Sequence, residues 1–284
     1  MIQQKQYFND LQKFISSQLQ SHQVLCININ RSNEIGDKVS SHLGFALTKC
    51  INLSNLTLFL KQNQIGVIGI QELGSGLAQC TNLSNLILDL ERNKIGDEGS
   101  SDLGSALAKC TNLSNLTLDL RWNFIGDKGM SSLSSCLVKF TNLSNLTIDL
   151  SYNYFSDEGT SGLGSGLAEC TNLSFLKLHL NWSYIGVIGV SGLCSGIEKC
   201  TNLSNLTLAL NCNLIGDEGA SGLGFCLVKC TNLQNLKLRL SQNQIGVEQN
   251  RIEYSHINMH SEYILNNQFY NSYINLNVFI FFIF

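Results

Sequence analysis

Leucine, or a residue of similar bulk, returns on a fixed schedule through most of the chain. From Leu116 to Leu120 the apolar positions alternate with Thr117 and Asp119, and Arg121 continues the polar phase. A period of two predicts a strand with one buried face and one wet face. After Ile125, which points inward again, the period lengthens. Leu103, Leu107 and Cys110 stand at i, i+4 and i+7, a single apolar stripe on a helix laid against the strand layer. The pair of elements then recurs. Cys50, Cys80, Cys110, Cys170, Cys200 and Cys230 fall on a thirty-residue period, with Phe140 in the missing place. A unit this short cannot bury its own apolar face, so stacked copies must share one continuous core.

The polar positions recur on the same schedule. Asn63, Asn93, Asn123, Asn153, Asn213 and Asn243 occupy one turn position, from which only Ser183 departs. An amide both donates and accepts, so this row predicts a ladder that satisfies backbone groups of its own and the adjacent unit. Asp37, Asp97, Asp127, Asp157 and Asp217 suit a helix N-cap or first turn. Lys49, Lys109, Lys139, Lys199 and Lys229 are expected in the last turn. Gly162, Gly164 and Gly166 weaken helix propensity but let neighbouring helices come close.

The ends break the pattern. Phe8, Leu11, Ile15 and Leu19 share one helical face, so residues 1–22 are expected to form an N-terminal capping helix. Residues 23–247 form an array of about eight 30-residue repeats, the first of them degenerate. Residues 248–284 are expected to be an irregular C-terminal cap or a disordered tail. The closing NVFIFFIF is far short of the roughly 20 apolar residues a membrane span needs.

Composition narrows the class of partner. A formal charge of −3 and 14% charged residues give no basic footprint for nucleic acid. Eleven cysteines without a basic and then apolar leader predict reduced thiols, in cytoplasm or nucleus. The recurring Asn-Leu-Ser and Asn-Leu-Thr triplets are read as repeat spelling, because sugars on every rung would crowd a stack with rungs about 5 Å apart.

The consensus L-x-x-L-x-L-x-L-x-x-N-x-I-G-D-E-G resembles the leucine-rich repeat family, in its ribonuclease-inhibitor-like and Ran GTPase-activating-protein-like branch, from about Leu53 to Val247. The resemblance implies an α/β solenoid, a right-handed horseshoe with a parallel concave sheet and convex helices. It also implies binding on the sheet face and the loops leaving it. One departure is an added x-Leu pair, such as Asp149-Leu150, which is expected to lengthen each strand and so either to widen the concave surface or to shift the register of the first Leu.

No motif carries catalysis. The cysteines lack metal-site spacing, the GLGSGL wording lacks a following Lys-Ser/Thr, and kinase signatures are missing. No catalytic residue, metal or cofactor is therefore assigned. Variation on the solvent face is more informative. One outward row reads Phe59, Asp89, Asp119, Asp149, His179, Ala209, Arg239, in which three adjacent carboxylates repel by about 1 kcal/mol per pair and invite a basic partner. Beside it Trp122, Tyr152 and Trp182 share a rim position, followed two residues later by Phe124, Tyr154 and Tyr184. Exposed aromatic clusters act as interface anchors. The expected function is a non-catalytic, monomeric scaffold that binds a protein partner through Asp89, Asp119, Asp149, His179, Trp122, Tyr152, Trp182, Tyr154 and Tyr184, with no role for nucleic acid or membrane. The alternatives are a GTPase-activating protein of the Ran type or the repeat portion of a larger regulatory protein such as a kinase.

Overall fold

The computed structural model describes residues 5–30, 36–246 and 262–264. Strands β1 (Lys5–Phe8), β2 (Val24–Asn28), β3 (Asn55–Phe59), β4 (Asn85–Asp89), β5 (Asn115–Asp119), β6 (Asn145–Asp149), β7 (Phe175–His179), β8 (Asn205–Ala209), β9 (Asn235–Arg239) and β10 (Glu262–Ile264) form one sheet in chain order. Every neighbouring pair is parallel. The connections carry α1 (Leu11–Ile15), α2 (Gly36–Leu47), α3 (Val67–Leu77), α4 (Gly96–Leu107), α5 (Asp127–Ser134), α6 (Asp157–Leu167), α7 (Val187–Ile197) and α8 (Gly216–Lys229). This is an α/β leucine-rich repeat solenoid.

The alternation works as the period of two requires. Leu86, Leu116 and Leu146 face each other in register and are buried, as are Leu88, Leu118 and Ile148 one step further on. A strand takes about 4.8 Å of arc per unit and a helix about 10 Å, so the sheet lies on the inner, concave arc. Close helix contacts moderate the bend. A Cβ at Gly164 would collide with the Gly192 carbonyl, and one at Gly196 with the Gly164 carbonyl, so α6 and α7 meet backbone to backbone.

The added x-Leu pair does not lengthen the strand, which stops at Asp149. Pairing runs on by one bond all the same, since the Leu150 N–H donates to the His179 carbonyl at 2.9 Å. The buried Leu143, Leu146 and Ile148 keep the spacing of L-x-x-L-x-L, and Leu150 adds one more buried rung.

Adjacent units close each other. Asn153 donates to the carbonyls of Leu120 and Leu150 at 2.9 and 2.8 Å, while its Oδ1 accepts from the N–H groups of Asn123 and Ile125, both at 3.0 Å. Asn93 and Asn213 repeat the pattern. Where Ser183 replaces the amide, its hydroxyl is buried without a partner. The cysteines form a second, weaker ladder. The thiols of Cys80, Cys110, Cys170 and Cys200 donate to the carbonyls of Leu47, Leu77, Leu137 and Leu167 in the preceding unit. Burial pushes Cys50, Cys80, Cys170 and Cys200 up to about 12, which keeps them protonated donors. Phe140 has no thiol to donate, and in its unit the helix tightens to a 3-10 turn over Ser135–Lys139.

The aspartates lie in the first turns of their helices but do not cap them. Asp37 accepts from Gly66 and Gly69 N–H at 2.8 and 2.9 Å, Asp97 from Gly126 at 2.6 Å, and Asp157 from Gly186 at 2.6 Å. Each carboxylate therefore caps the helix of the following unit. Where the preceding unit has Val67 or Val187 instead, the next helix starts differently. Gly96 and Gly216 then take φ of +61° and donate to the carbonyls of Asn123 and Asn243. Ser156 can replace glycine because Asp127 stands behind it, holding its backbone at φ −124°. The lysines meet expectation only in part. Lys139 and Lys229 sit in last turns, whereas Lys49, Lys109 and Lys199 stand two residues past α2, α4 and α7.

The N-terminus differs from the single helix expected. Strand β1 extends the sheet beside β2, Asp10 then caps α1 by accepting from Gln12 and Lys13 N–H at 2.8 and 3.2 Å, and a 3-10 turn covers Leu19–Ser21. An open strand edge is satisfied by another strand, which a helix cannot provide. Phe8, Leu11, Ile15 and Leu19 still pack on the core end, around the fully buried Phe14. The expected cap or tail over 248–284 lies outside the described residues, apart from the backbone of Glu262–Ile264 beside β9.

Two substitutions test this closure. Asp127→Val should cost about 1 kcal/mol for the lost cap and a further ~1–2 kcal/mol for forcing Ser156 left-handed, measured by urea unfolding. Asp97→Val should cost the cap alone, because Gly126 can adopt the Gly96 conformation; equal losses would contradict this. Burial opposes ionisation of Asp127, but hydrogen bonds from Ser156 and Gly159 hold its carboxyl below the usual 3.8. Its charge-dependent stabilisation is therefore complete above that value and lost as pH falls through the lower folded value, so the gap to Asp127→Val should narrow only in strong acid. Separately, Ser183→Asn should stabilise by about 1 kcal/mol by restoring the ladder.

Candidate functional site

The chain leaves each strand from β3 to β9 through a left-handed residue. Gln62, Arg92, Trp122, Tyr152, Trp182, Cys212 and Gln242 have φ between 56° and 62°. This conformation lets the Asn row turn inward and aims the residue before it out of the sheet rim. It costs roughly 1–2 kcal/mol for a residue with a Cβ, and the solenoid repeats it at each of these seven rungs. Because the rungs are in register, the aromatic ones stack. Trp122 and Tyr152 have ring centroids 4.2 Å apart at 8°, and Tyr152 and Trp182 5.7 Å apart at 14°. Such pairs contribute about 0.5–1.5 kcal/mol beyond burial. The Arg92 guanidinium continues the column, 5.6 Å from the Trp122 ring.

A second row runs parallel. Phe124 and Tyr154 are 6.0 Å apart and tilted by 35°, and Tyr184 follows. Trp122, Phe124, Tyr154, Trp182 and Tyr184 remain 44–58% exposed. The two rows line a groove of about 470 Å³ that also reaches Arg92, Lys94 and Gln64. The buried amides of Asn123 and Asn153 fix the turns between the rows. All five aromatics of the expected site, together with Phe124, are thus brought to one place.

The acidic row is not the open ladder that the sequence suggests. Asp89, Asp119, Asp149 and His179 are in register as expected. The charges of Asp119 and Asp149, however, are paired within the fold. Arg121 sets its guanidinium on both oxygens of Asp119, reaches Glu91 at 2.6 Å and lies 3.5 Å from Asp149. Lys61 meets Glu91 at 2.6 Å and Arg92 approaches it at 3.6 Å. His179 Nδ1 lies 3.1 Å from Asp149 Oδ2. Burial works against the Asp149 charge, but hydrogen bonds from His179 and Ser151 hold its carboxyl below the usual range. Asp89 is raised, first by burial and then by the nearby charges of Asp119 and Glu91, although the Glu91 N–H opposes this. Carboxylate oxygens of Asp89, Glu91 and Asp119 come within 4.8 Å of one another, a spacing that could hold a cation. Lys61 Nζ and Arg121 Nη2 already occupy the Glu91 oxygen there.

Glu91, Arg121, Lys61 and Arg92 were not singled out from the sequence. Their signal is the column two residues beyond the Asp row, where Lys61, Glu91 and Arg121 alternate in sign on adjacent rungs. None of the described helices is long and apolar enough to cross a membrane.

A family model described as Leucine Rich repeat matches residues 82–104, 112–134 and 200–224. No curated protein matches the chain. Among solved structures, internalin C2 of Listeria monocytogenes is 22% identical over 77% of this chain and 74% of its own, with a TM-score of 0.48. A Bacteroides fragilis protein is 14% identical over 86% and 66%, with a TM-score of 0.49. Actin-binding site 2 of leiomodin-1 is 13% identical over 68% and 86%, with a TM-score of 0.37. These likenesses say nothing about what this chain binds. The matched segments lie between β4 and α8 and each carries a strand, the Asn turn and a helix start, so these units are leucine-rich repeats.

Proposed function

We propose that this protein is a non-catalytic scaffold that grips a protein partner on its concave sheet face, anchored by Trp122, Tyr152 and Trp182 with Tyr154 and Tyr184 beside them. One observation carries the reading. Paired aromatics occupy three consecutive rungs of a rim whose rungs from β3 to β9 otherwise hold Gln, Arg, Lys, Cys and Leu, and all but the half-buried Tyr152 stay exposed although the core has no use for them. A repeated structural need would have distributed them evenly. Solvent-facing aromatic clusters of this kind concentrate binding energy. A preformed rim also loses little conformational freedom when it binds.

The Asp89, Asp119, Asp149 and His179 row borders the anchor. Asp119 and Asp149 are already paired with Arg121 and His179, so in this reading the row supplies a rigid polar flank more than an unmet demand for cations. A helix in most units supports placement in the ribonuclease-inhibitor-like branch. We assign the scaffold no enzymatic activity and place it as a monomer in cytoplasm or nucleus, away from nucleic acid and membranes.

Replacing both Trp122 and Trp182 with Ala should lower partner recovery in affinity purification at least tenfold, while urea unfolding stays cooperative and loses only the two stacks, about 1–3 kcal/mol. Unchanged recovery by a folded double variant would remove this site.

A further inference from the structure

We propose that the rim groove receives a proline-containing segment of the partner, in the polyproline II conformation, with an acidic residue lying over Arg92 and Lys94. This rests on the reading of the rim as the partner-binding face and specifies the chemistry bound there.

Ring orientation is the first argument. Trp122, Tyr152 and Trp182 cover one another's faces, so a flat sugar or nucleobase finds no free π-face between them. What the column offers a ligand is its edges. Aromatic edges are electropositive, and these also bear the indole N–H and phenol O–H donors. Among the described residues none of these donors has a protein acceptor. The complementary ligand presents apolar rings together with unsatisfied carbonyl oxygens. A polyproline II segment does so, having no internal hydrogen bonds and a fully solvated backbone, and aromatic-lined grooves are a recurring way to bind it.

Spacing is the second argument. Alternate rungs are about 9.6 Å apart at 4.8 Å per strand, and one polyproline II turn of three residues advances about 9.3 Å. Residues i and i+3 of the ligand then fall over Trp122 and Trp182 in the same orientation. An extended β peptide repeats every ~6.7 Å and drifts out of step.

Charge sets the end. The rung before the aromatics bears Arg92 and Lys94, whereas the rung after them bears Cys212 and Leu214. The Arg92 side chain is 53% exposed although its Nε lies 3.6 Å from Glu91, and among the described residues Lys94 Nζ reaches only Gln64, at 3.4 Å. The first carboxylate on this side, Glu91, is buried beneath. A ligand carboxylate therefore gains at one end of the groove only.

The chain contains two tryptophans, Trp122 and Trp182, so intrinsic tryptophan emission reports on this groove alone. The full-length protein is titrated with three synthetic peptides. The first has two aspartates followed by proline at every third position, the second has lysines for the aspartates, and the third has glycines for the prolines. The first should shift the emission saturably and bind at least tenfold more tightly than either other peptide. Arg92→Glu with Lys94→Glu should invert the preference between the first two, and Trp182→Ala should weaken the first at least tenfold with Trp122 as reporter. Comparable affinities for all three, no saturable shift up to about 1 mM, or tighter binding of an oligothymidylate would overturn the proposal. If partner recovery still depends on Trp122 and Trp182 in that event, the scaffold reading survives and only the proline chemistry falls.

Discussion

Each unit of this solenoid is finished by groups that belong to its neighbours. A lone unit would leave the N–H groups of its turn, the first N–H groups of its helix and one face of its leucine row without partners. Buried donors left unmade cost about 1–3 kcal/mol each, which is more than a thirty-residue unit can tolerate. The amide of Asn153 serves the turn of the preceding unit, and the carboxylate of Asp157 serves the helix of the following one. Closure therefore runs in both directions along the stack, and stability becomes a property of adjacent pairs.

This division of labour explains where the molecule is free to vary. Positions pointing into the stack are held by a leucine, an asparagine or an aspartate with a defined partner. Positions at the left-handed turn, by contrast, give the core only their backbone. Gln62, Trp122 and Cys212 share nearly the same φ with unrelated side chains. The scaffold thus offers a row of sites at strand spacing whose chemistry does not disturb the fold, and on three rungs that row is aromatic. The charged row is less free, because Arg121 ties Glu91, Asp119 and Asp149 together across three strands.

Much of this was legible in the sequence, for identifiable reasons. The strands and helices follow from periods of two and near four, and the Asn row could be read as a ladder because an amide at a turn has few other uses. The aromatic clustering was visible because identical positions stack in a parallel sheet. The target of the Asp row was not legible. An acidic residue at a helix start reads as its own cap, and only coordinates reveal that the nearer orphan N–H groups lie a unit ahead. The first residues misled in a similar way, since Phe8, Leu11, Ile15 and Leu19 fit one helical face, while Asp10 starts a helix only at Leu11 and leaves Lys5–Phe8 to pair with β2. Reading the strand-face row of Asp89, Asp119 and Asp149 by itself also hid Arg121, whose long side chain crosses to three rungs.

Residue-resolved amide hydrogen exchange on Asp157→Asn tests neighbour closure most directly. The account predicts faster exchange at Gly186, the helix start of the next unit, with no change in the first turn of α6 where Asp157 itself resides. Loss of protection in α6 with Gly186 unaffected would contradict it.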